Sequence, residues 1–136
     1  MPTNPKVPTK RTATPRVKRA AKASSPANKP FLRFYHSESL RAKTLAVLTT
    51  IEKAKDSKQH RDALADIVVE LNDSGMEYFF LRPLKLAHVG FFTEQSANLG
   101  IAATKGVFAS VIRNIIGGMD NSQLLSVCSY VRQLMK

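Results

Sequence analysis

Residues 99–117 read LGIAATKGVFASVIRNIIG, and this stretch decides the fold. At helical spacing Ile101, Phe108, Val111, Ile112 and Ile115 form a bulky face. Ala102, Ala103, Gly106 and Ser110 form a small face on roughly the opposite side. Lys105 and Arg113 are its only charges. A helix that is apolar almost all round has to be covered by something. The reading predicts the central helix of a bundle. The spacing Ala102-x3-Gly106-x3-Ser110 also lets another backbone approach closely. A self-association seam and a lipid or hydrophobic-granule surface are therefore the alternative coverings.

Working outward, Gly117-Gly118 ends this helix and Asp120 caps the next, with Gln123 at the capping-box position. Leu124, Val127, Cys128, Val131, Leu134 and Met135 make the apolar stripe of that last helix. On the N-terminal side Leu84, Ala87, His88, Phe91 and Gln95 share a face, with a kink predicted near Gly90 or Gly100. His88 sits among apolar neighbours and is expected as a hydrogen-bonded core histidine. The aromatic run Met76–Leu81 predicts a short helix, with Pro83 opening a new one. The competing reading is a strand paired with residues 31–35, because Tyr and Phe favour strands.

A helix over 58–73 places Leu64, Ile67, Val68 and Leu71 on one face and Asp62, Asp66, Glu70 and Asp73 on the other. Gly75 is its predicted left-handed cap. The carboxylate row opposes an apolar face, so it reads as a solvated surface; a docking surface for a basic partner and a metal site are the alternatives. A first helix over 39–56, capped by Ser37 or Ser39, carries Leu40, Thr44, Val47, Leu48, Ile51 and Ala54 as its stripe. The run Phe31-Leu32-Arg33-Phe34-Tyr35-His36 reads as an aromatic clasp on the domain, or as a surface that stacks nucleobases. The fold expected is an all-α bundle of four to five helices in a domain spanning 31–136.

Residues 1–30 differ sharply in composition. They hold Lys6, Lys10, Arg11, Arg16, Lys18, Arg19, Lys22 and Lys29, six of the seven prolines, and no acid, aromatic, Leu or Ile. Such a segment cannot bury enough apolar area to offset its ordering entropy, so a disordered basic tail is expected. The whole chain of 136 residues has a formal charge of +11, and most of the excess lies here. A flexible polycation binds nucleic acid by releasing counterions, without reading sequence. Arg11, Arg16, Lys18, Arg19 and Lys22 are the contacts predicted. A solubilising tail and attraction to an anionic membrane are the other readings. The tail is poor in acid, as transit peptides are, but its prolines oppose the amphipathic helix such a peptide needs.

Several classes are excluded by the remaining residues. Cys128 is the only cysteine, so no intrachain disulfide can form, and a reducing, cytoplasmic setting is expected. His36, His60 and His88 are widely spaced and offer no zinc pair. No phosphate loop, GxSxG or HExxH is present. No run of 18 or more apolar residues occurs, and no apolar leader core lies near the N-terminus. No enzyme activity and no cofactor are predicted; Cys128 reads as an inert core thiol. The function expected is a small binding protein whose tail contacts DNA or RNA. Its bundle serves as a homo-oligomer seam or takes a helical protein partner. The alternative is a scaffold or coat on a membrane or storage granule through residues 84–117.

Overall fold

The computed structural model of the protein describes Thr3 and residues 29–136. The chain divides into two units, Met1–Leu32 and Arg33–Lys136. Of the predicted tail only Thr3, Lys29 and Pro30 are described; its proposed contacts Arg11, Arg16, Lys18, Arg19 and Lys22 lie outside the described residues. The second unit is all-α. It comprises α1 (Glu38–Lys53), a 3-10 turn (Ser57–His60), α2 (Arg61–Met76), a π turn (Glu77–Leu81), α3 (Arg82–Leu86), α4 (Phe91–Gly117) and α5 (Asn121–Leu134). No strand occurs among the described residues.

Local chemistry fixes the helix ends. Ser37 caps α1 by accepting from the Leu40 amide, and Glu38 lies in the first turn, where the helix dipole favours a negative charge. Asp120 and Gln123 form the complete capping box of α5. The ending predicted at Gly75 does not occur. Gly75 is helical, and a Cβ there would touch the Phe34 ring at 3.8 Å. The chain runs on through the π turn into α3, with Pro83 at the start of that helix as expected. The left-handed residue is instead His88, at φ 49°. The His88 amide donates to the Lys85 carbonyl at 3.3 Å and the Val89 amide to the Leu84 carbonyl at 3.5 Å. This is the Schellman pattern with histidine where glycine is usual. His88 is therefore an exposed turn residue, not a core histidine. Gly100 lies inside an unbroken α4.

The core sits between α1, α2 and α5. Leu48, Leu64, Leu124 and Cys128 are fully buried, with Ile51, Ala65, Val131 and Met135 beside them. Fully burying side chains of this size contributes roughly 1.5–3 kcal/mol each. Thr44, buried in α1, returns its hydroxyl to the Leu40 carbonyl at 2.7 Å, so it brings no unpaired donor inside. Ion pairs clamp the rim. Arg132 of α5 grips Glu52 of α1 with two bonds, of 2.7 and 3.0 Å, and reaches Thr49 at 3.2 Å.

Two members of the carboxylate row join helices while staying in contact with solvent. Asp66, exposed, pairs with Arg113 of α4 at 2.6 Å, and half-buried Glu70 pairs with Lys43 of α1. Asp62 is exposed, and Asp73 is half-buried with its Oδ1 unpartnered among the described residues. No group of three or more His, Cys, Asp or Glu side chains placed to hold a metal occurs among the described residues.

Candidate functional site

The expectation that residues 99–117 form the central, buried helix is overturned. Only Ile116 of α4 is buried, at 4% exposure. At ~100° per residue Glu94, Ile101, Lys105, Ile112 and Ile116 fall within about 60° of one another. These residues are half-buried or buried, on the side that packs against α2. Arg113 leans the same way through its pair with Asp66. Each charge of α4 is therefore on or beside its inner face.

The outer face has the opposite character. Ser96, Ala103, Val107, Ser110 and Asn114 lie within about 60° of each other and are exposed. None carries a charge. A Cβ added at Gly100 or Gly106 would meet nothing within 4 Å. Phe108, Val111 and Ile115 form an exposed ridge along one flank, and the small residues Ala102 and Gly106 line the other. Ordinary surface helices turn charge outward and apolar residues inward. This helix keeps Ile101, Ile112 and Ile116 inward but turns its charges that way as well, which leaves its outer face uncharged. By length and composition α4 is long and apolar enough to cross a membrane. Its charges lie on or beside the face that packs against α2, and Arg113 ties it there through the pair with Asp66.

A second surface is built where residues 33–37 meet the π turn. An extra residue in a helical turn brings consecutive side chains onto one side, and such turns often mark functional sites. Here Tyr78 and Phe79 both contact Phe34, with ring centroids 6.3 and 5.9 Å away. Tyr35 meets Tyr78 at 6.1 Å, and the Arg82 guanidinium lies 5.2 Å from the centre of the Tyr78 ring. Tyr35, His36, Ser74, Glu77, Tyr78 and Arg82 line an open cleft of about 380 Å³. His36 Nδ1 lies 3.1 Å from the Ser37 carbonyl oxygen; a proton on that nitrogen would leave Nε2 as the nitrogen without one. The aromatic contacts agree with the clasp reading of residues 31–36 for Phe34 and Tyr35. The sequence reading missed Tyr78 and Arg82 as partners, although the aromatic run followed directly by Arg82 is the signal that marks them.

Other features offer less. A pocket of about 150 Å³ beside His60, walled by Ala46, Val47, Thr50 and Ala63, falls below the usual size of a small-molecule site. Cys128 is fully buried, and desolvation, with Glu52 adding to it, pushes its thiol up to about 11. The reactive species is the thiolate, so this cysteine is a poor nucleophile near neutral pH. No protein-family model, curated protein or solved structure matches this chain.

Proposed function

We propose that the protein is a non-catalytic nucleic-acid-binding protein that works as a pair, two copies meeting through the outer face of α4. The uncharged, exposed outer face of α4 carries this reading. Two helices of this shape are self-complementary about a two-fold axis. The ridge Phe108–Val111–Ile115 of one copy fits the small stripe Ala103–Gly106–Ser110 of the other. A lipid surface fits less well, because Gly100, Ala103, Gly106 and Ser110 bring little apolar area to insert.

The size of the face sets the strength. A helix of 27 residues is about 40 Å long and 10 Å wide, which gives about 400 Å² per copy. A standard interface buries about 800 Å² per partner, so the seam is weak when two copies meet in free solution. A shared polyanion changes this. It gathers two tails, each with eight basic residues and no acid, and raises the effective concentration of the second copy to about millimolar. Binding is then cooperative, sequence-tolerant and steeply salt-dependent.

The test uses the full chain and labelled DNA or RNA. Replacing Arg11, Arg16, Lys18, Arg19 and Lys22 with Ala should make the log–log salt slope shallower by about 4 on duplex DNA. Ala103→Glu, at an exposed position, should abolish cooperativity while leaving the slope intact. An unchanged slope in the first variant removes the tail from binding. Unchanged cooperativity in the second removes the seam.

A further inference from the structure

We infer that the cleft between residues 35–37 and the π turn stacks one base of a single-stranded nucleic acid. This rests on the nucleic-acid reading above and gives it a strand preference that a bare polycation lacks. Tyr35 is 76% exposed, which leaves its side chain accessible to a planar ligand. The Arg82 guanidinium, held over the Tyr78 ring, supplies a second flat surface at 5.2 Å. Bases stack on both tyrosine and arginine planes, and every base has such a face.

The polar groups of the cleft suit the edge of a base. The Glu77 carboxylate is exposed and enters no ion pair among the described residues, so it can accept from a base N–H such as the thymine N3 imino group. The Ser74 hydroxyl can both donate and accept. Arg82 likewise enters no ion pair among the described residues and remains able to donate to a base oxygen or a phosphate. The cleft of about 380 Å³ has room for a base and part of its sugar, with an open mouth for the strand to leave. In sequence the last tail cation, Lys29, lies six residues before Tyr35. Along the chain, the basic segment therefore directly precedes the residues that hold the base. Duplex DNA keeps its bases stacked inside and can use only the tail.

The experiment measures anisotropy of a short labelled oligothymidine and of a duplex with the same number of phosphates, both with the full chain at low salt. The single strand should bind wild type more tightly than the duplex. Tyr35→Ala should weaken single-strand binding roughly tenfold, with duplex binding unchanged. Tyr35→Phe should restore it, because the ring and not the hydroxyl stacks. Oligothymidine should also quench tyrosine fluorescence in a Tyr130→Phe background and less so when Tyr35→Ala is added. If Tyr35→Ala binds both ligands as wild type does, or weakens both equally, the cleft is not a base site while the tail reading stands. If wild type binds neither ligand, the nucleic-acid reading itself falls and the cleft assignment falls with it.

Discussion

A glutamate placed at Val107 and a glutamate placed at Ile116 lie on the same helix yet should have opposite consequences. Val107 is 65% exposed on the outer face of α4; Ile116 is 4% exposed on the inner face. Ile116→Glu puts a carboxylate among Leu48, Leu64 and Leu124, the cluster to which Ile116 belongs. The unpaired charge and the lost packing cost about 3 kcal/mol or more. For a unit near one hundred residues each kcal/mol moves Tm by about 4–8 °C, so the melt should fall by more than ~10 °C. Val107→Glu touches nothing inside the copy and should change stability by under ~0.5 kcal/mol. In a two-fold pair, however, it enters twice. Val107 is close to the midpoint of α4, so an antiparallel partner brings the two carboxylates to about 8 Å. At an effective dielectric near 20 that repulsion is about 2 kcal/mol. Desolvating each carboxylate adds about 1–3 kcal/mol. The sum weakens pairing by about three orders of magnitude or more. Thermal melts by circular dichroism read the first effect, and the cooperativity of binding to a long nucleic acid, on which the tails gather the copies, reads the second. Should Val107→Glu bind as cooperatively as wild type, the seam is elsewhere. Should it melt as early as Ile116→Glu, the outer face is not outer.

Three further outcomes follow from the fold. The Cys128 thiol has its pKa raised to about 11 from an ordinary 9.0 by burial, with Glu52 adding to it. Its contribution is fully present below pH 9 and is lost as pH rises towards 11, because the unfolded chain ionises first; it amounts to about 3 kcal/mol. Denaturant unfolding at stepped pH should show a decline over that window that flattens in Cys128→Ala, and parallel curves for the two proteins would reject the assignment. Gly75→Ala should raise stability by about 0.5–1 kcal/mol, since the residue is helical and its new Cβ meets the Phe34 ring at an ordinary 3.8 Å. His88→Gly should do likewise by relieving a left-handed histidine. A lower Tm in both variants would mean that neither backbone is as described.

Periodicity and capping chemistry alone determined much of this protein. The stripes Leu48–Ile51, Leu64–Ile67 and Leu124–Cys128–Val131 mark the faces that are buried. The Asp120–Gln123 box and Pro83 mark helix starts, because these signals act within one turn and need no distant partner. Glycine was a poorer guide. Gly75 looked like an ending, but the neighbouring chain closes over it through Phe34, and a helix that gains such a contact has no reason to stop. His88 took the left-handed position because the chain must turn between α3 and α4 there, whichever residue is present. That Asp66 and Glu70 of the acidic row also join helices is not legible in the sequence, because their partners Arg113 and Lys43 are far away along the chain. Tyr35 and Tyr78 are likewise joined only by folding. Hydropathy measures what a helix would rather avoid, which is water, and says nothing about what shields it. Sequence could show that residues 99–117 need a cover. Only the tertiary structure decides that α1, α2 and α5, with Ile116 of α4, fill the core of the single copy, which leaves the outer face of α4 uncovered.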